Sequence, residues 1–371
     1  MLIARMLAMR YRRVRERRRF MRSKPRYCYD AKTTLHKIRH CGVLFQHDCS
    51  LPPVLLTVTA LLRCPLCCSL VAAMLFSATS PTHTRRHVLP SGPALFTQHW
   101  HVSAPRGHML LVHGYAEHSG RYGHVATVLK EAGYAVTAYD QRGFGRSPGR
   151  RALVWDFDIL AHDLHAMSRH VQANSPAPLV VLGHSMGGLV VLWTLLMHDL
   201  SAAGVVLSAP ALAIGGNVPP GLAPLTQAVS RWLPTLPTVG KVQGGISRDV
   251  QVVAEAEADP LNYHGRVPAR TGVEMLRVGQ QVQARAAAIT HPYLLMHGTA
   301  DAIVDPTGST QFHSASGSAD KTLRRYEGLR HEIFNEPERH DVFADVVAWL
   351  DARMSLQSQD ETSHPHTTAQ A

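Results

Sequence analysis

The stretch Leu179–Met197, LVVLGHSMGGLVVLWTLLM, is an apolar run, a Gly-His-Ser-Met-Gly turn and a second apolar run. Val180, Val181 and Leu182 make a β-branched-rich strand of the kind buried on both faces in a parallel sheet. Gly183 and Gly187 flank Ser185 with one residue between. That G-x-S-x-G spacing is expected where a strand turns sharply into a helix, because a Cβ at either glycine would meet the neighbouring strand or helix. Gly188 adds a close helix–strand approach. The turn leaves the Ser185 hydroxyl exposed, with the N-terminus of the following helix behind it. The unpaired N–H groups and partial positive charge of that end suit a developing oxyanion.

Outward from this turn the chain alternates strands and helices. Met109–His113, Tyr134–Tyr139, Gly204–Ser208, Pro292–Met296 and Thr322–Tyr326 read as strands, after a first edge strand near Leu95–Val102. Val125–Gly133, Phe157–Gln172, Val273–Ala287, Thr307–Ser316 and Glu338–Met354 carry helical spacing. The alternation predicts an α/β fold, a mostly parallel central sheet with helices on both faces. The stretch 211–288 breaks it. Its early part is rich in Pro and Gly, and its position predicts a cap over the active face. The apolar residues Val218, Leu222, Leu225, Val229, Trp232, Leu233 and Leu236 fit either a lipophilic lid or packing of the cap onto the core.

The candidate chemistry follows chain order. Ser185 is followed by two acids after a late strand, Asp301 and Asp305, and by His331 after the last strand. Asp305 precedes Pro306 and reads as a helix N-cap. Asp301 sits in a glycine-containing turn from which a carboxylate reaches His331, so Asp301 is the expected third member. In this order His331 takes the serine proton and Asp301 orients the imidazole. The strand ending in His113-Gly114 predicts a second oxyanion donor, the backbone N–H of Tyr115, paired with that of Met186. The loop Asp140–Ser147 is glycine-spaced but lacks the G-x-G-x-x-G pattern and reads as structural.

Together, His113-Gly114-Tyr115-Ala116-Glu117-His118-Ser119-Gly120-Arg121-Tyr122, Asp140-Gln141-Arg142-Gly143-Phe144-Gly145-Arg146-Ser147, Gly183–Gly188, His297-Gly298-Thr299-Ala300-Asp301 and Tyr326–Glu332 carry a resemblance. Over about Pro93–Leu350 the chain resembles the monoglyceride lipase and lysophospholipase branch of the α/β-hydrolases. The resemblance implies a carboxylic ester hydrolase with the triad Ser185, Asp301 and His331, oxyanion donors at Tyr115 and Met186, and a lipid-facing cap. It also implies that Glu117 and Arg121 order the loop near the glycerol end. Tyr115 is bulkier than the residue common at its place. Monoacylglycerol and lysophospholipid are the expected substrates. An aminopeptidase, thioesterase or short-chain esterase on the same triad is the alternative, and a noncatalytic binding protein on this scaffold is a further one.

The chain has 371 residues and a formal net charge of +11. The excess belongs to residues 1–87, which hold 17 Lys and Arg against 3 Asp and Glu; the remainder is net −3. The body therefore lacks the basic character of a nucleic-acid binder, and no nucleic-acid partner is expected. All six cysteines, Cys28, Cys41, Cys49, Cys64, Cys67 and Cys68, lie in that segment; their CPLCC cluster lacks the second half of a zinc pattern. Neither a metal nor a cofactor is expected. Leu51–Ala78 is apolar but interrupted by Arg63 and three prolines. The expected organisation is a basic, apolar, poorly ordered extension over 1–87, a hydrolase domain over 88–354 and a disordered tail over 355–371. The expected location is cytoplasmic or peripheral to a membrane, reached through the cap or the N-terminal segment, with an anchor or export signal in Leu51–Ala78 left open.

Overall fold

The computed structural model describes residues 79–90, 92–214, 223–237 and 245–363. The Arg-rich arm, Leu51–Ala78, all six cysteines, and Val218 and Leu222 of the cap lie outside the described residues.

The strands are β1 (His83–Val88), β2 (Ala94–Trp100), β3 (Gly107–Val112), β4 (Tyr134–Tyr139), β5 (Leu179–His184), β6 (Gly204–Ser208), β7 (Tyr293–Gly298) and β8 (Lys321–Tyr326). They form one eight-stranded sheet in the order β1-β2-β4-β3-β5-β6-β7-β8. β1, β2 and β4 pair antiparallel, and every pairing from β4 to β8 is parallel. The strand order reverses beside β3, which opens a crevice at the carboxyl ends of β3 and β5.

The period of two along each strand sorts its side chains into two core layers. Leu110, Val112, Val181, Val205, Leu207 and Leu295 face one side. There they meet α2 (Phe157–Asn174), α3 (Met186–Met197), α6 (Ala269–Ala284) and Phe312 of α7 (Pro306–Ala315). Met109, Leu111, Val180, Leu182, Val206 and Leu294 face the other side, under α1 (Gly123–Glu131) and α8 (Arg339–Ser363). Strands covered on both faces read as continuous apolar runs, which is why these segments stand out in the sequence.

Three places differ from the expected organisation. β1 falls almost wholly inside the stretch expected to be a poorly ordered extension, yet it pairs with β2 over six residues. Its sequence, HTRRHV, is almost wholly exposed, so no apolar alternation marks it. Second, α8 runs on past Met354 to Ser363, into the expected tail. Third, α6 lies within the 211–288 stretch but buries Met275, Val278 and Val282 in the core layer with α3. The other helices of that stretch are α4 (Ala223–Trp232) and α5 (Val250–Ala258). Val229, Trp232, Leu233 and Leu236 are all exposed, and Trp232 is 86 % so. Of the two readings of the cap's apolar residues, these four do not pack it onto the core.

Candidate active site

Ser185 stands between β5 and α3 with φ +52° and ψ −117°. A side-chain-bearing residue held there costs roughly 1–3 kcal/mol and persists only where its surroundings fix it. Here the backbone is fixed from both sides. Its N–H donates to Ser208 O at 2.9 Å, and its carbonyl accepts from Leu189 N at 3.1 Å and Ala211 N at 3.0 Å. The glycines explain the tightness. A Cβ on Gly187 would lie 2.2 Å from Val112 O, and one on Gly183 would lie 2.6 Å from Gly187 O.

The loops after β7 and β8 bring Asp301 and His331 to this serine. His331 Nε2 lies 2.8 Å from Ser185 Oγ, and His331 Nδ1 lies 2.6 Å from Asp301 Oδ2. An ionised carboxylate only accepts, so Nδ1 carries the proton and Nε2 is left to accept the serine O–H. All three side chains are buried. Asp301 is held by more than His331. Its Oδ2 also accepts from His297 Nε2 at 2.9 Å, and its Oδ1 accepts from the N–H groups of Ile303 at 2.8 Å and Val304 at 3.0 Å. Burial alone would raise this carboxyl's pKa, but the hydrogen bonds from His297, His331 and Val304 outweigh it and hold it well below the usual range. Asp305 instead caps α7, accepting from Thr307 N at 2.8 Å. His184, next to the serine, is pushed down to about 4 by burial and by facing His331, so it stays neutral.

Tyr115 and Met186 flank the serine from the ends of β3 and α3. Met186 is the first residue of α3, so its N–H has no intrahelical acceptor. Tyr115 begins the turn after β3, in which Ala116 adopts φ +67°. His113 braces that turn from behind. Its Nε2 accepts from Gln141 N at 2.9 Å, which makes Nδ1 the donor to Gly114 O at 2.7 Å.

Glu117 and Arg121 lie in the same loop. Glu117 Oε1 accepts from Gly114 N at 2.5 Å and from the Tyr122 hydroxyl at 2.6 Å, while Oε2 accepts from Arg121 at 2.9 Å. Arg121 also donates two parallel bonds to Glu332, at 2.7 and 2.8 Å. Glu332 directly follows His331. Burial raises its pKa, but the Arg121 guanidinium more than reverses this and brings it to about 2. A continuous ionic chain thus ties the turn after β3 to the loop bearing His331. Asp140, in the loop read as structural, accepts from Ser119 N at 2.8 Å, Ser119 Oγ at 2.5 Å and Arg146 N at 2.7 Å.

Gly114, Tyr115, Glu117, Arg121, His184, Ser185, His331 and Glu332 line one cavity. The cap adds Val253, Ala256, Glu257, Asn262, Tyr263 and His264. The sequence reading brought together Ser185, Asp301, His331, Tyr115, Met186, Glu117 and Arg121. It quoted His297 and Glu332 within motifs but gave them no role, and it passed over Asn262 and Tyr263. His297, four residues before Asp301 at the end of β7, and Glu332, beside His331, were open to notice by adjacency; the cap residues carry no motif.

The family model described as "Serine aminopeptidase, S33" (Hydrolase_4) matches residues 103–338. The monoacylglycerol lipase of Mycolicibacterium smegmatis is 38% identical over 247 residues, covering 66% of this chain and 88% of that protein. The monoglyceride lipase of Rattus norvegicus is 30% identical over 293 residues, 75% of this chain and 97% of that protein. Among solved structures, the monoacylglycerol lipase of Paleococcus ferrophilus superposes with a TM-score of 0.63 at 31% identity, covering 70% of this chain and 99% of that one.

Proposed function

From a chain that belongs to the serine aminopeptidase S33 (Hydrolase_4) family, with its α/β-hydrolase fold, we propose a serine hydrolase that cleaves carboxylic esters of lipids. Monoacylglycerol or lysophospholipid is the substrate class. The single observation that carries this reading is the unbroken hydrogen-bond line from Ser185 Oγ through His331 to Asp301, at 2.8 and 2.6 Å. The names of the two lipase relatives and of the structural neighbour support the choice of a lipid ester over an amide.

The chemistry runs along that line. Serine is a weak nucleophile at neutral pH. His331 Nε2 accepts its proton as Oγ attacks the ester carbonyl, and Asp301 stabilises the imidazolium and keeps its tautomer. The carbonyl oxygen becomes an oxyanion held by the N–H groups of Tyr115 and Met186. One such donor is worth roughly 2.7–4 kcal/mol to the transition state. His331 then gives its proton to the departing alcohol. Water, activated by the same imidazole, hydrolyses the acyl-enzyme and releases the fatty acid. Glu117, through Gly114, holds the turn that presents the Tyr115 N–H.

The exposed side chains of Val229, Trp232, Leu233 and Leu236, on α4 and just after it, support contact between the cap and a lipid surface. Among the described residues no helix is long and apolar enough to cross a membrane. The test is fatty-acid release from a monoacylglycerol by the full chain beside Ser185→Ala. Release by the parent and a loss of at least about 10⁴-fold in the variant is the expected result. A folded parent that releases none overturns the reading.

A further inference from the structure

The period of two places Tyr293, Leu295 and His297 on one face of β7. The first two belong to the core layer beneath α7, where Phe312 packs against Tyr293. A hydrocarbon at 297 would continue that layer. The chain instead buries an imidazole there, at 1 % exposure, and a buried polar ring needs partners for both nitrogens. Nε2 lies 2.9 Å from Asp301 Oδ2, and Nδ1 lies 2.7 Å from the hydroxyl of Ser309 on α7. An ionised carboxylate only accepts, so Nε2 carries the proton and Nδ1 accepts from Ser309.

A second histidine thus sits on the very oxygen that serves the first. Ser309, His297, Asp301, His331 and Ser185 form one line of hydrogen bonds, at 2.7, 2.9, 2.6 and 2.8 Å, with Asp301 Oδ2 at its centre. The negative charge on that oxygen steadies the imidazolium formed when His331 takes the serine proton. A donor on a carboxylate favours its charged form and draws on its charge. The Ser309 O–H strengthens the His297 donor from behind, because bonds in a chain polarise one another. The described residues that line the cavity over Ser185 do not include His297, so it acts through Asp301 and not on the substrate.

Resting on the serine hydrolase reading above, we infer that His297 is a positioning residue, which keeps Asp301 ionised in its buried place and shares its charge, so that hydrolysis persists further to the acid side than with an unshared carboxylate. His297 passes no proton on. Its own stays on Nε2 while the serine proton moves to His331 and then to the leaving alcohol. With a hydrocarbon at 297, Oδ2 would bond His331 alone and hold the imidazolium more firmly, and the base would be lost at a higher pH. The other charged and titratable groups around the pair are His184 from β5, whose ring centre lies 4.8 Å from that of His331, Glu332 with Arg121 and Glu117, and Asp305 at the start of α7. They are unchanged by substitutions at 297 or 309, so a change in pH dependence is read against a constant background.

The experiment measures kcat/KM of the full chain on monododecanoylglycerol across the acid limb of its pH profile, which reports the base of the free enzyme. Activity regained on return to neutral pH shows that the fold survived each reading. His297→Leu is expected to move the limb up by about 1 pH unit. His297→Gln, whose side-chain N–H takes the place of Nε2–H, is expected to keep the limb of the parent. Ser309→Ala is expected to move it in the same direction as His297→Leu by a smaller step. That variant deletes a single oxygen, so it decides the matter even where His297→Leu does not fold. Limbs of His297→Leu and Ser309→Ala that coincide with that of the parent, or a His297→Gln limb displaced as far as that of His297→Leu, overturn the inference and leave the hydrolase reading standing. No dodecanoate released by the folded parent overturns both.

Discussion

On one oxygen of Asp301 two histidines meet, His331 at 2.6 Å and His297 at 2.9 Å, while the other oxygen takes two backbone N–H groups. Such a carboxylate cannot rotate, and it fixes the His331 ring with the proton on Nδ1. Asn in its place would offer an N–H or a weaker acceptor and release the tautomer. Asp301→Asn is therefore expected to lower kcat by about 10³–10⁴-fold with little change in fold, read by steady-state kinetics and a thermal melt. Activity within tenfold of the parent would remove Asp301 from the proposed triad. That Asp301 and not Asp305 bonds His331 was legible in the sequence, because the helix-capping pattern before Pro306 gave Asp305 another task. The His297 contact was not legible. A histidine at a strand end looks the same whether it bonds a carboxylate or solvent, and only the path of the β7 loop decides. At Gly187 the constraint is steric. A Cβ 2.2 Å from Val112 O cannot be accommodated by a side-chain shift, since the neighbour is backbone. Gly187→Ala is expected to cost more than about 3 kcal/mol, or to yield no folded protein, as measured by denaturant unfolding.

At the scale of elements, the strands that stand out most clearly in the sequence are those buried on both faces, β3 to β7, whose apolar runs have no other use; β2 and the more exposed β8 were read as strands as well. β1 was missed for the opposite physical reason. It lies at the sheet edge, its side chains are mostly solvated, and its Arg85, Arg86, His83 and His87 resemble a linker. Such charges are what an edge strand needs to resist pairing with another chain. A protein beginning at residue 79 keeps β1; one beginning at 89 leaves the β2 edge bare. The shorter form is expected to melt lower and to aggregate in light scattering, while the longer form matches the full chain in specific activity. Equal solubility and melting of the two would show that β1 adds nothing. The cap, too, was only outlined by composition, because what holds it is a contact between distant segments. Glu336, fully buried, accepts from Arg330 N at 2.9 Å, from Arg248 N at 3.1 Å and from Arg248 Nε at 2.9 Å. Glu332 N donates to Ile246 O at 2.8 Å. The root of the cap and the His331 loop therefore move as one piece, and no local pattern in either stretch records it.

For the molecule as a whole, the decisive charges are the ones that burial keeps uncharged. His99, His108, His124 and His184 are each held at about 4, in every case chiefly by burial. They are spread through the fold: two on β2 and β3 around Thr137, one on α1 and one beside the serine. The unfolded chain takes up protons at these histidines near pH 6.5, and the folded chain only near 4. Between those values the unfolded state binds more protons, so stability is fully present above about pH 6.5 and is lost as the pH falls toward 4. His124 and His184 are enclosed enough for the linkage to be little screened. Together they approach two protons near pH 5, a slope of roughly 2–3 kcal/mol per pH unit. Glu332, held at about 2 after burial is outweighed by Arg121, adds its own loss from about pH 4.5 downward, in the same direction. The melting temperature is therefore expected to fall steadily between pH 7 and pH 4. His124→Gln, which replaces a ring donating to Phe334 O at 3.2 Å by an uncharged amide, is expected to flatten that fall by close to one proton. Calorimetric melts of the parent and variant across this range measure the slope directly. A parent whose melting temperature stays level from pH 7 to 4 would mean that the buried imidazoles take their protons without leaving the fold.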